Sequence, residues 1–80
     1  MPKRHGDSFS REVIIRILQI LIDEGKLKKT HLAGRARVNY GMCIKYLGFL
    51  NKLEWIRIIQ DTQEGEFVSI TSEGMGSLKT

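Results

Sequence analysis

The hydrophobic pattern of the chain changes its period at Glu54, which separates a helical part from a hairpin part. Before Glu54, apolar residues recur three and four positions apart, which is the spacing of amphipathic helices. After it, residues 55–59 and 66–71 are rich in β-branched and aromatic side chains, and residues 61–65 between them have the composition of a turn. The sequence therefore predicts helices followed by a two-stranded hairpin with a loop of about five residues.

The first helix is predicted to begin at Ser8 or Ser10, either of which can cap a first turn, and to end at Gly25. Four polar residues at spacings of four, three and four form one narrow stripe along it: Glu12, Arg16, Gln19 and Asp23. All other positions from 13 to 22 are aliphatic. Two explanations of this wide apolar arc stay open, namely burial by the helix's own chain and contact with the second subunit of a homodimer.

Two shorter helices are predicted after the first. The second runs from Thr30 to about Ala36 and follows a basic turn over residues 26–29. The third runs from Tyr40 to about Lys52 and is capped by Asn39. Its apolar stripe is Tyr40, Cys43, Ile44, Leu47, Leu50 and Leu53, and its opposite face is Gly41, Lys45, Gly48 and Lys52. Residues 72–80 are predicted to form at most a frayed turn or a short helix opened by Thr71.

Length and composition allow one domain. A chain of 80 residues has room for a single modest core, which we assign to residues 8–80, while residues 1–7 are expected to form a flexible N-terminal arm. The longest apolar run is too short to cross a bilayer and no secretory signal is evident, so we expect a cytoplasmic, nucleoid-associated protein. The single cysteine, Cys43, is expected to be a core thiol.

Basic residues are concentrated in one segment. Residues 25–53 contain seven Lys and Arg side chains and no Asp or Glu, whereas the other 51 residues carry six basic and nine acidic side chains. The segment is thus +7 and the remainder −3, which gives the net charge of +4. Such a local excess is typical of a nucleic-acid-binding surface.

The order of elements predicts an α+β, mainly helical fold: a winged helix-turn-helix, with three helices followed by a two-stranded wing hairpin. The residues also carry a resemblance, through KKTHLA at 28–33, Tyr40, KYLGFL at 45–50 and VSITSEG at 68–74. Over residues 11–76 the chain resembles the small archaeal winged-helix DNA-binding regulators typified by the ten-kilodalton Sulfolobus DNA-binding protein. The resemblance implies a transcriptional regulator that binds double-stranded DNA.

Two departures from that family have structural consequences. Family members commonly place Gly between the third helix and the first wing strand, whereas this chain has Glu54, so a differently built junction is expected. Many members also continue into a long C-terminal helix that pairs two subunits, which this sequence does not contain. A dimer would therefore use another surface, for which the first helix is the candidate.

Candidate DNA contacts follow from the fold, because the third helix of a helix-turn-helix lies in the major groove. We expect base contacts from Asn39, Tyr40, Met42 and Lys45. Phosphate contacts are expected from the second helix and its flanks: Lys28, Lys29, Thr30, Arg35 and Arg37. Gly41 and Gly48 each lower helix propensity by up to about 1 kcal/mol relative to Ala. Either close approach to DNA or close packing against the second helix would account for them.

The wing is expected to avoid DNA, because its tip carries Asp61, Glu64 and Glu66 and no basic residue. Arg57 on the first wing strand could still reach a phosphate. Neither the two histidines nor the lone cysteine forms a metal-binding spacing, and no catalytic motif is present, so we expect no enzyme activity, metal, cofactor or small-molecule substrate. Two alternatives stay open: a winged-helix protein-interaction module, and a non-specific nucleic-acid or chromatin protein.

Overall fold

A computed structural model describes residues 9–78 and shows four helices and a three-stranded antiparallel sheet. The elements in chain order are α1 (Arg11–Glu24), β1 (Lys26–Lys28), α2 (Lys29–Ala36), α3 (Tyr40–Lys52), β2 (Ile56–Asp61), β3 (Gly65–Ile70) and α4 (Ser72–Leu78). This arrangement confirms the predicted winged helix-turn-helix. The predicted N-terminal arm, residues 1–7, and the alternative cap Ser8 lie outside the described residues. Among the residues described, no helix combines the length and apolarity needed to cross a membrane.

Local signals placed the ends of α1 and the start of α3 correctly. The hydroxyl of Ser10 accepts a hydrogen bond from the Val13 amide at 3.4 Å and caps α1, and Gly25 ends that helix with a φ of 85°. The Asn39 side chain accepts from the Met42 amide at 2.8 Å and caps α3. A side-chain oxygen at the cap satisfies one of the amides that a first turn leaves unpaired.

The predicted basic turn over residues 26–29 is wrong. Residues 26–28 form strand β1, which pairs antiparallel with β3 so that Leu27 lies opposite Val68. Lys29 is already the first residue of α2, one position earlier than predicted. Successive residues of a strand face opposite sides of the sheet. In β1 this places Leu27 against the core and its two lysine neighbours on the other face.

The wing loop is shorter than predicted. Strand β2 extends to Asp61 and β3 begins at Gly65, so three residues rather than about five connect them. One carboxylate oxygen of Asp61 accepts from the amides of Gln63 and Glu64, at 2.8 and 3.2 Å. Gly65 has a φ of 93°, which a residue without a Cβ adopts without strain.

The core lies between the helices and the inner face of the sheet. Its buried members are Ile17, Leu18, Leu21, Leu32, Ala33, Ala36, Cys43, Tyr46, Leu47, Leu50, Ile56 and Val68. Cys43 is the core thiol that was expected. Three residues of the predicted α3 stripe are not core: Tyr40 is 51% exposed, Leu53 is 39% exposed and Ile44 is half-buried. Tyr40 and Leu53 lie at the two ends of the helix. Tyr46 is buried instead, and its hydroxyl accepts from the Ser10 amide at 2.8 Å.

The junction after α3 is held by Glu54 and Thr71. Glu54 has a φ of 62°, in the left-handed region that glycine favours, so its backbone adopts the conformation that a glycine would take. The Thr71 hydroxyl donates to the Glu54 carbonyl at 2.6 Å and accepts from the Gly74 amide at 3.1 Å, which caps α4 as predicted. A Cβ on Gly74 would lie 2.2 Å from the Trp55 carbonyl oxygen, so only glycine fits there.

Candidate nucleic-acid interface

One face of α3 is exposed over its whole length. It comprises Gly41, Lys45, Gly48 and Lys52, with Tyr40 beside it at the start of the helix. The four residues expected to read bases therefore differ in availability. Tyr40 and Lys45 are exposed, Met42 is half-buried and packs against the core, and the exposed Asn39 uses its side-chain oxygen as the helix cap. The face that the sequence predicts is exposed, but two of the residues predicted to read bases are less free than expected.

The two glycines of this face are not explained by helix packing. Apart from its chain neighbours and the adjoining backbone of α3, a Cβ added at Gly48 would meet no described atom within 4 Å, and one added at Gly41 would meet only the Asn39 side-chain oxygen, at 3.5 Å. The expected alternative of close packing against the second helix is therefore wrong for both positions. The other expected explanation, close approach of α3 to DNA, stays a prediction.

The start of α2 has no side-chain cap. Its N-cap is Lys28, whose side chain makes no capping hydrogen bond, and the side chain of Thr30 is exposed. The first amides of a helix need a partner and favour an anion, since the helix dipole is positive at that end. This end of α2 can therefore accept a phosphate.

Lys29 is paired with an acid of the wing. Its Nζ lies 2.7 Å from Oε1 of Glu66, with the two side chains 22% and 39% exposed. The other carboxylate oxygen of Glu66 accepts from Nε2 of Gln60 at 2.8 Å. The hydrogen bond and the charge of Lys29 lower the pKa of Glu66, and Gln60 adds to this effect. Lys29 was expected to contact phosphate, but in the free protein it contacts Glu66.

The end of α2 is also held by charged side chains. Arg35 forms an ion pair with Glu24 of α1. Arg16, which sequence reasoning placed only on a polar stripe, donates from Nη1 to the Ala36 carbonyl at 2.8 Å and so ties α1 to the end of α2. Arg37 is exposed and has a φ of 62° in the left-handed region. Of the predicted phosphate contacts, Arg37 and Thr30 thus have exposed side chains, while Lys29 and Arg35 are paired with acids.

Lys28 lies on the outer face of the sheet. Its Nζ is 6.0 Å from the centre of the Phe67 ring, and the Nζ of Lys26 is 4.7 Å from the same ring. Backbone hydrogen bonds from Gln63 and Glu64 lower the pKa of Asp61, and the nearby charges of Lys26 and Lys28 lower it further. The wing tip is acidic as the sequence indicated, but β1 places two cations close to it.

A groove of about 460 Å³ lies between α1 and α4. Ile14, Ile15, Trp55 and Leu78 contribute to its lining. Large apolar side chains are exposed on both helices: Ile15 is 36% exposed, Ile22 is 43% exposed and Met75 is 44% exposed. The apolar residues of α1 therefore fall into two groups: Ile17, Leu18 and Leu21 are in the core, whereas Ile15 and Ile22 are exposed.

Within residues 9–78, the His, Cys, Asp and Glu side chains form no group of three or more that could hold a metal ion.

Comparisons with known proteins support the fold. The family model described as "Winged helix-turn-helix" matches residues 9–80. No curated protein sequence matches the chain significantly. The narrower likeness to the small archaeal regulators stays a prediction.

Several solved structures are similar at low sequence identity. A MarR family transcriptional regulator from Silicibacter pomeroyi DSS has a TM-score of 0.78 at 19% identity, over 84% of this chain and 46% of that one. The PcaV transcriptional regulator from Streptomyces coelicolor has a TM-score of 0.79 at 17% identity, over 84% and 51%. The YusO protein from Bacillus subtilis has a TM-score of 0.77 at 22% identity, over 84% and 49%. The chain thus spans about half the length of the structures that it matches.

Proposed function

Because this chain belongs to the winged helix-turn-helix family, we propose that it binds double-stranded DNA as a sequence-specific transcriptional regulator. One observation carries the proposal: α3 presents an exposed face with two glycines that no intramolecular contact explains. A helix without side chains at these positions can lie close to the floor of a major groove. The regulators named among the similar structures agree with this function.

Tyr40 and Lys45 are the proposed base-contacting residues, because both are exposed on the first turns of α3. A lysine that donates to the guanine acceptors discriminates between bases by about 1–3 kcal/mol when its geometry is good. Asn39 already uses its side-chain oxygen to cap α3, and losing that cap would cost about 1 kcal/mol. We therefore propose that Asn39 mainly positions α3, and that Met42 makes at most an apolar contact from its half-buried site.

Phosphate contacts are proposed from the start and end of α2. Thr30 and the uncapped amides around it would bind one phosphate, and Arg37 would bind another. Positive charge near these phosphates would also come from three further residues: Lys28 at the end of β1, Lys29 at the start of α2 and Arg35 in the last turn of α2. Such contacts position a protein on DNA without reading its sequence. The wing loop, residues 62–64, is proposed to stay off the phosphates because of its acidic charge.

We also propose a homodimer through α1. The exposed side chains Ile15 and Ile22 are seven residues apart and so lie on one side of the helix, and Met75 of α4 adds to the exposed apolar surface. Sedimentation of Ile22→Glu against the parent chain tests this: we expect a dimeric parent and a monomeric variant. A monomeric parent at all concentrations would contradict the dimer. Leu18 is fully buried in its own chain and is no probe of this interface.

The proposed function is tested by binding to duplex DNA over a range of salt concentrations, followed by selection of bound sequences from a random pool. Several phosphate contacts make the logarithm of affinity fall steeply with the logarithm of salt concentration. Lys45→Ala is expected to relax the selected motif, whereas Lys52→Ala, on the same face at the other end of α3, should leave it unchanged. Absence of duplex binding at low salt would favour a protein-interaction module, and binding without an enriched motif would favour a non-specific chromatin protein.

A further inference from the structure

The ion pair between Lys29 and Glu66 joins the helix-turn-helix to the wing. Lys29 is the first residue of α2, and Glu66 lies on β3 opposite Gln60 of β2. The Lys29 ammonium lies 2.7 Å from one carboxylate oxygen of Glu66, and the Gln60 amide donates to the other at 2.8 Å. Residues of α2 and β2 therefore both hold the Glu66 carboxylate. The carboxylate contacts Lys29 at the start of α2, where we propose that a phosphate binds.

A carboxylate in this position resembles a phosphate to the lysine that it contacts. Both groups present anionic oxygens at hydrogen-bonding distance from an ammonium. The pair is not sealed from water, since the side chains are 22% and 39% exposed. Exposed ion pairs contribute little net stability, so a phosphate placed at the same point can replace the carboxylate.

We propose that Glu66 is a specificity-determining residue. Its carboxylate binds Lys29 in the free protein, and only a DNA phosphate that docking of α3 holds beside Lys29 replaces it. This inference rests on the proposed DNA binding. On random duplex, where α3 makes no base contacts, no phosphate is held firmly enough to displace the Glu66 carboxylate, and the ion pair persists. Glu66 thereby weakens non-specific binding more than specific binding and widens the ratio between them.

The expected magnitude follows from counterion release. Each lysine that gains a phosphate contact makes the slope of log affinity against log salt steeper by about 0.9. Freeing Lys29 therefore tightens binding to random duplex by about eightfold at about 0.1 M salt, if the contact is worth nothing at about 1 M. Binding to the selected site, where Lys29 has already changed partner, should tighten less.

The experiment compares Glu66→Gln with the parent on random duplex and on the selected site. Glu64→Gln is the matched control, because it removes the same charge from the neighbouring wing loop, two positions away. Lys29→Met is measured alone and combined with Glu66→Gln. Thermal unfolding of each variant confirms that it is folded at the binding temperature.

We expect Glu66→Gln to tighten random-duplex binding about eightfold at about 0.1 M salt and to steepen the salt slope by about 0.9. Glu64→Gln should change the affinity for random duplex less. Adding Lys29→Met to Glu66→Gln should abolish the gain in that affinity. The inference is overturned by an equal gain in Glu64→Gln, by a gain that persists without Lys29, by an equal gain on the selected site, or by equal affinities of parent and Glu66→Gln for random duplex. If neither parent nor Glu66→Gln binds any duplex at low salt, the proposed function itself fails and this inference fails with it.

Discussion

Replacing Gly48 of α3 with alanine should change protein stability and DNA affinity in opposite directions. Gly48 lies inside α3 and is exposed, and apart from its chain neighbours and the adjoining backbone of α3 no described atom lies within 4 Å of the position that a Cβ would take. Alanine is favoured over glycine in a helix interior by about 0.5–1 kcal/mol. Since the new methyl group meets nothing, no clash offsets this gain. The free energy of unfolding should therefore rise by up to about 1 kcal/mol, and Tm by roughly 4–8 °C for a full 1 kcal/mol.

The same methyl group should weaken DNA binding. It would project from the surface that we place against the major groove, and a misfit costing about 1 kcal/mol lowers affinity about fivefold. Gly76→Ala is the matched control, because a Cβ at Gly76 in α4 also meets nothing within 4 Å of described atoms but lies outside the proposed interface. Thermal unfolding followed by circular dichroism gives the stability, and fluorescence anisotropy with a labelled duplex gives the affinity.

Two results would refute this reasoning. A Gly48→Ala variant that is no more stable than the parent would mean that this position is not open. If Gly48→Ala is more stable but binds duplex as tightly as the parent and the Gly76→Ala control do, α3 does not approach DNA closely at Gly48. The predicted combination is a more stable protein that binds more weakly.

Three further predictions concern stability and titration. Gly74→Ala should lower the free energy of unfolding by about 1–3 kcal/mol in urea, because its Cβ would lie 2.2 Å from the Trp55 carbonyl oxygen; a neutral effect would contradict this contact. Glu54→Gly should raise that free energy by about 0.5–1 kcal/mol, because it relieves a left-handed residue at φ 62°, and a loss of stability would count against this account of the junction. The lowered pKa of Glu66 means that its contribution to stability is present above the pKa of the unfolded chain and is lost as pH falls through the pKa of the folded state. Carboxyl NMR titration should show this low pKa in the parent and its return toward the ordinary value in Lys29→Met, and an identical titration in both would contradict the assigned cause.

Much of the fold could be predicted because its signals are local. Ser10, Gly25 and Asn39 end or begin helices through contacts within four residues, so their roles can be read from neighbouring sequence. Strand β1 could not be predicted in the same way. Its three residues are too few to show a period, and they form a strand only because Leu27 pairs with Val68, about forty residues later.

The candidate site was predictable in composition but not in pairing. The acid-free segment correctly indicated where cations concentrate, yet it contains no sign that Lys29 meets Glu66 or that Arg35 meets Glu24. Those partners lie outside the segment, and the register of the sheet and the packing of α1 bring them together. The sequence alone therefore indicates only repulsion between the wing acids and DNA, although one of these acids binds a lysine of α2.

The most direct test of the central claim is the change in backbone amide chemical shifts when a selected duplex is added to labelled protein. The account predicts that the largest shifts fall on residues 40–48 of α3 and on Lys29 and Thr30 at the start of α2, while the wing loop at residues 62–64 changes little. Shifts confined to α1 and α4, or no shifts on α3 with any duplex at low salt, would contradict the claim that this face binds DNA.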